Sequence, residues 1–233
     1  MGLRERVSLY NRYTEERIGM VTPFRTYYLI MEGTKTEPIY FQLLEKKLLA
    51  LRVRNNIRLI YLERTLNDRG SNTPDQLFRF LRLFRAQKND PDAVYFMVFD
   101  RDSYKNRPNP EKSYLDFLNR IKNAPVRLIV SSPCFELWLL LHRLNAYRDL
   151  ILPDQEAIFQ NERLSSGYTY ISKMVKDLFG FNPKSMIPDF FLNGLNNALK
   201  QSPLLTSDPV RMATEIGENI GDFIAELMQD VRY

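Results

Sequence analysis

The segment AVYFMVFDRD, Ala93 to Asp102, decides the fold class of this chain. Apolar residues run without interruption from Ala93 to Phe99 and stop abruptly at Asp100. A strand without polar alternation is buried on both faces, the environment of a central parallel strand covered by helices on either side. Three further β-prone runs flank it: Thr26–Met31, Ile57–Leu62 and Val126–Val130. Between them lie helical spacing over Glu37–Leu51, a helix opened by Thr73-Pro74 and another from about Glu111 to Asn123. This alternation predicts an α/β fold with a Rossmann-like, four-stranded parallel sheet and right-handed crossovers on both faces.

The rest of the chain divides around that core. Residues 1–24 carry Arg4, Arg6, Arg12 and Arg17 without clean periodicity and end at Thr22-Pro23, which reads as a basic N-terminal arm. Residues 25–147 form the α/β core. Residues 148–233 show helical patterns broken at Pro153, Gly167, Gly180, Pro183 and Pro188. They read as a helical C-terminal extension packed on the core, whose surface also offers an interface for self-association as a homo-oligomer. Its last helix is expected to be capped by Asp208-Pro209, with Met212, Ile216, Ile220, Phe223 and Leu227 on one face.

Bulk properties narrow the function classes. The chain has 233 residues, 44% of them hydrophobic, enough for a sizeable interior. No apolar run reaches the length of a membrane span and the N-terminus lacks an apolar signal region, so a cytoplasmic protein without membrane attachment is expected. The single cysteine, Cys134, excludes an intramolecular disulfide and a cysteine-rich zinc site. A net charge of +5 favours polyanions only mildly, because 28 acidic residues offset 33 basic ones. Arg79, Arg82, Arg85 and Lys88 recur every third residue along one helix, as a solvated face or a phosphate-tracking surface.

The residues capable of chemistry gather at strand ends. In MEGTKTEPIYF, Met31 to Phe41, Glu32 ends the first predicted strand; Asp100 and Asp102 end the third. Open parallel sheets bind ligands at the carboxyl ends of their strands, where the strand order reverses. In a 2-1-3-4 order these three carboxylates converge there. If the extended backbone persists, Asp100 and Asp102 point to one side and Arg101 to the other. Three hard oxygen donors in one place call for a cation, with Mg²⁺ or Mn²⁺ the natural choice. Gly33, Thr34, Lys35 and Thr36 lead into a helix expected to be N-capped by Thr36. Such a loop is either an ordinary capped turn or a phosphate cradle with Lys35 as an added charge. In SSPCFELWLLLH, Ser131 to His142, Glu136 reads as a further ligand or base, or as a first-turn acid complementing the helix dipole. His142 shares a helical stripe with Phe135, Trp138 and Leu139. It is either a packed core histidine or a proton donor in phosphodiester cleavage.

The succession EGTKTEPIYF, VFDRD and SSPCFELWLLLH resembles the RloB-like family of bacterial defence proteins, over about Tyr27 to His142. The resemblance implies a Toprim-like core, the catalytic module shared by topoisomerases, primases and OLD-family nucleases. Glu32 is then the acid or base and a metal ligand, and Asp100 and Asp102 bind the metal. It also implies an antiphage role beside an ATPase partner, with nucleic-acid cleavage as the activity. Toward the C-terminus, where a Pro-Ser-Thr element is expected, only Thr206-Ser207-Asp208-Pro209 stands, so no role is carried beyond His142. The expected function is therefore Mg²⁺-dependent cleavage of RNA, tRNA included, or of DNA. Glu32 or Glu136 takes the proton of the attacking water and Lys35 stabilises developing charge. The alternative is a non-catalytic nucleic-acid-binding or effector subunit of a defence complex. Nucleotidyl transfer or strand passage is weaker, since no segment is dedicated to presenting a tyrosine nucleophile and no zinc module is evident.

Overall fold

The computed structural model describes residues 3–7, 25–50, 57–64, 70 and 72–229. Its strands are β1 (Leu3–Val7), β2 (Arg25–Met31), β3 (Ile57–Arg64), β4 (Val94–Asp100), β5 (Arg127–Ser132) and β6 (Gly217–Glu218). Its main helices are α1 (Thr36–Ala50), α2 (Pro74–Lys88), α3 (Pro110–Ile121), α4 (Glu136–Leu140), α5 (Gln155–Gln160), α6 (Tyr170–Phe179), α7 (Leu195–Gln201) and α8 (Ile220–Gln229).

The sheet order is β1-β3-β2-β4-β5-β6. β2, β3, β4 and β5 are mutually parallel, so the four strands read from the sequence take the 2-1-3-4 arrangement, with β2 hydrogen-bonded to β4 from Tyr27↔Val94 to Met31↔Val98. Two antiparallel edges were not foreseen. β1 pairs with β3, Leu3↔Arg64 to Val7↔Ile60, so the start of the expected arm is part of the sheet. β6 pairs with β5 through Ser131↔Glu218 and Ser132↔Gly217. The remainder of the arm, including Arg12 and Arg17, lies outside the described residues.

Alternate residues of the parallel strands fill two apolar cores, which explains their unbroken hydrophobicity. Tyr27, Leu29, Phe96, Val98 and Ile129 face α1, α4, α6, α7 and α8. Tyr28, Ile30, Tyr95, Met97 and Phe99 face α2 and α3. Residues Phe135 to Leu141 are all buried, because α4 runs beneath the C-terminal helices and, Glu136 apart, is apolar all round. At the start of α2 the Gln76 side-chain oxygen accepts the Thr73 N–H at 3.1 Å, as the Thr73-Pro74 signal implied. No described helix is long and apolar enough to cross a membrane.

The expected final helix is corrected. From Asp208 the chain makes a tight turn, in which the Asp208 carboxylate accepts the Val210 N–H at 2.8 Å, and the helix begins only at Ile220. Asn219 is the reason for the delay. Its side-chain oxygen accepts the Val130 N–H at 2.7 Å and its amide donates to the Leu128 carbonyl at 3.0 Å, clasping the free edge of β5. Its backbone carbonyl then accepts the Phe223 N–H. Met212 consequently packs in the α2/α3 core, on the sheet face opposite Ile220, Phe223 and Leu227.

Candidate active site

A cavity of about 450 Å³ opens at the carboxyl ends of β2, β4 and β5, where the strand order reverses. The parallel pairing continues one residue past β2, with Glu32 N–H on the Val98 carbonyl at 2.9 Å. Glu32 is thereby set beside Asp100, whose N–H donates to Glu32 Oε2 at 3.2 Å. β4 ends at Asp100 and the chain tightens into a 3-10 turn over Arg101–Tyr104. The two aspartates therefore reach one crevice by a turn and not by strand alternation. The Asp102 N–H is fastened to the Pro133 carbonyl at 3.0 Å, at the mouth of the third motif. Arg101 does turn away, to the Ala213 carbonyl at 3.0 Å and the Phe159 ring. Glu136, in the first turn of α4, completes the floor.

Glu32, Asp100, Asp102, Glu136 and Lys35, all singled out in the sequence, line this crevice together. His142 does not. It is 3% exposed, stacked on Phe191 at 4.5 Å and enclosed by Tyr40 and Trp138. Because Nδ1 meets the Trp138 carbonyl at 3.1 Å, that nitrogen carries the proton, and Nε2 accepts the Tyr40 hydroxyl at 3.1 Å. Burial pushes its pKa down to about 3, so it is a neutral packing residue and no proton donor to the crevice. Thr36 is the first residue of α1 and not its cap, since the Lys35 carbonyl accepts the Ile39 N–H. Cys134 is buried at the cavity wall, where burial holds its thiol protonated.

The structure adds residues that the sequence did not advertise. Glu37 is buried in the first turn of α1 and accepts the Gly33 N–H at 3.1 Å. A Cβ at position 33 would displace that carboxylate from its present position. Three donors hold three of the other four carboxylates. Ser103 Oγ bonds Glu32 Oε1, Ser172 Oγ bonds Glu136 Oε1 at 3.2 Å, and Asn161 Nδ2 bonds Asp102 Oδ2 at 2.8 Å. Asn161 is itself locked. It sits in the left-handed region at φ 42°, is 3% exposed, and accepts the Ile171 N–H at 3.0 Å. Ser172 and Asn161 come from the C-terminal half, some thirty or more residues from any acid they orient, which is why no local pattern reveals them. Lys184, from the same half, lines the cavity, as does Lys35.

Crowded, desolvated carboxylates raise one another's pKa. Asp100 is driven well above the usual carboxylate range by burial, then by Glu37, Glu32, Glu136 and Asp102. Burial also lifts Glu37 to about 7, with Glu136 and Glu32 adding to the rise. Asp102 rises to about 6 through burial, opposed by the Asn161 hydrogen bond and by Lys105. Glu32 is raised by burial against the pull of Ser103, the Asp100 N–H and Arg64. The Arg64 guanidinium, at the end of β3, donates to the carbonyls of Met31 at 3.2 Å and Glu32 at 3.0 Å and fixes the turn that carries Glu32. Asp102 Oδ1 is buried without a partner. Among the described residues no three Asp, Glu, His or Cys side chains are arranged as a ready-made metal site.

Fold and site together define an α/β protein with a buried acidic crevice at the switch point of a mostly parallel sheet. A family model described as RloB-like protein matches residues 27–227, and the chain belongs to that family. The match extends well past His142, through the helices that supply Asn161, Ser172 and Lys184, so the family pattern does not stop at the third motif as expected. Neither a curated protein nor a solved structure matches the chain.

Proposed function

We propose that this protein is a Toprim-type, divalent-metal-dependent nuclease that cleaves RNA or DNA in antiphage defence, acting with an ATPase partner. The observation that carries the reading is the convergence of Glu32, Asp100, Asp102 and Glu136, with Glu37 behind them, on one partly desolvated crevice at the carboxyl ends of neighbouring parallel strands. Burial on that scale disfavours uncompensated negative charge, and a cation or protons must balance it. The donors suit Mg²⁺ or Mn²⁺ in type: anionic oxygens, one of them, Asp102 Oδ1, buried without a partner. Glu32, Asp100, Asp102 and Glu136 are the residues that would hold the ion, which supplies charge neutralisation and polarisation of a phosphoryl oxygen. Lys35 and Lys184 at the cavity wall attract the phosphate as point charges. Glu32 or Glu136 accepts the proton of the attacking water. Membership of the RloB-like family supports the Toprim assignment, the defence role and the ATPase partner.

The direct test incubates rigorously purified protein with tRNA, unstructured RNA and DNA, with Mg²⁺ or Mn²⁺, alone and with its cognate ATPase. Cleavage lost in Asp100→Asn/Asp102→Asn supports the reading; undiminished cleavage by that variant sinks it. A second reading, a non-catalytic nucleic-acid-binding or effector subunit, is favoured by one observation. Ser103, Asn161, Ser172 and the Gly33 N–H each hold a different carboxylate of the crevice, and among the described residues no three Asp, Glu, His or Cys side chains are arranged as a ready-made metal site. Calorimetry with Mn²⁺ separates the two, since only the nuclease reading requires binding that depends on Glu32, Asp100 and Asp102.

A further inference from the structure

Behind the Gly33–Thr34–Lys35 turn lies a second cavity, of about 470 Å³, at the ends of β2 and β3. It shares Gly33, Thr34, Lys35 and Asn72 with the acidic crevice, so the turn is a ridge between two adjoining hollows. Their linings differ in kind. The crevice is walled by carboxylates. The second hollow is lined by Met31, Pro38, Tyr61 and Leu62 as apolar and aromatic residues, and by Arg64, Gln42 and Asn72 as polar groups, with Glu63 its one acid among the described residues. The Gln42 and Asn72 amides make no side-chain hydrogen bond among the described residues, and each offers a donor beside an acceptor.

We infer that the second hollow is a subsite for the base of an unpaired nucleotide flanking the scissile phosphate. This rests on the nuclease reading and deepens it by naming the substrate class: single-stranded or looped nucleic acid. A polynucleotide seated with one phosphate in the crevice must continue over a rim, and the Lys35 ridge offers an ammonium for its backbone at that crossing. The volume lies within the ordinary range for small-ligand pockets, about 300–1,000 Å³. Apolar walls suit the faces of a base, while a side-chain amide pairs with a base edge, adenine above all, through one donor and one acceptor. A base still stacked in a duplex cannot enter a hollow, so the geometry selects strands whose bases are splayed out. Arg64 ties the two hollows together, because the guanidinium that lines the subsite also holds the carbonyls of Met31 and Glu32.

The test uses the full chain and fluorescence anisotropy with short labelled strands of oligo-A, oligo-U and a matched duplex, in the Asp100→Asn/Asp102→Asn background to prevent cleavage. Gln42→Ala, on the half-buried face of α1 where alanine favours the helix, is expected to weaken oligo-A binding about tenfold and to flatten the preference for A over U. Gln42→Trp, which fills the hollow, is expected to reduce single-strand binding further and to leave duplex binding as it was. Mn²⁺ calorimetry on Gln42→Ala with the acids intact is expected to match the unmodified protein. If both Gln42 variants keep the affinity and base preference of their parent while Asp100→Asn/Asp102→Asn still abolishes cleavage, the subsite is overturned and the nuclease reading stands. Equal binding of duplex and single strand also overturns it. Gln42-dependent single-strand binding in a protein that cleaves nothing upholds the subsite and fails the nuclease reading.

Discussion

Asn161→Asp removes the donor that orients Asp102 while keeping the backbone and the acceptor that Asn161 supplies. Aspartate keeps the shape, tolerates the left-handed backbone at φ 42° and retains the oxygen that accepts the Ile171 N–H. The one polar atom that changes is the nitrogen that donates to Asp102 Oδ2 at 2.8 Å and to Cys134 Sγ at 3.3 Å, and it becomes an acceptor. Two ionised carboxylates about 4 Å apart repel by about 4 kcal/mol at an effective dielectric constant near 20. Retaining a proton between them is cheaper. Asp102 already titrates at about 6, so holding it protonated at pH 8 costs about 3 kcal/mol, two pH units at about 1.4 kcal/mol each. The loss should therefore be about 3 kcal/mol at pH 8 and under about 1 kcal/mol at pH 5. A carboxyl whose folded pKa is raised stabilises the fold at low pH, and that contribution disappears as pH rises through the raised value. For a chain of this size the pH 8 loss corresponds to a fall in Tm of about 6–12 °C. Thermal melts of both proteins at pH 5 and pH 8, without metal, make the comparison. An equal loss at both pH values would refute the electrostatic argument and leave generic packing damage in its place.

Further outcomes follow from the same crevice and from its neighbour in the core. Asp100→Asn should raise the Tm of the metal-free protein at pH 8, by the equivalent of about 1–2 kcal/mol, while abolishing cleavage, because it removes a buried like charge from a functional cluster; a lower Tm would contradict the crowding argument. Mn²⁺ affinity, measured by calorimetry, should fall as pH drops from 8 to 5, as protons occupy Glu37 near 7 and Asp102 near 6; a flat profile would count against metal binding at these acids. His142→Phe should cost about 1–3 kcal/mol of stability, since Tyr40 and the Trp138 carbonyl each lose a partner. Turnover per folded molecule should be unchanged, and a loss beyond the unfolded fraction would return His142 to the chemistry.

What could be read from the sequence was what burial writes locally. β4 declares itself because both its faces are covered, while the 2-1-3-4 order was only the condition under which the acids at the first and third strand ends would meet, and the sheet meets that condition. β1 is hidden because LRERV is an edge strand interrupted by charges, and β6 because two residues carry no period. Among the site residues, Glu32, Asp100 and Asp102 stand at strand ends where chemistry is expected. Glu37 looks like any first-turn acid complementing a helix dipole, and only tertiary packing turns it inward. Asn161 and Ser172 are ordinary polar residues in sequence. Their role arises from α5 and α6 folding back over the third motif, a long-range arrangement without a short-range pattern. His142 was legible as two alternatives, and the Phe191 ring, far along the chain, decides between them.

The Asn219 clasp bears on how this protein can assemble. Its side-chain amide imitates the donor and acceptor of a neighbouring backbone, so beyond the two residues of β6 the Leu128 carbonyl and the N–H and carbonyl of Val130 on the edge of β5 are already engaged. A strand from another chain would have to displace Asn219 to pair there, so a single residue guards that side against edge-to-edge fibril growth. Any partner approaching this flank must therefore grip helices and side chains, where specificity can be tuned without risking runaway polymerisation.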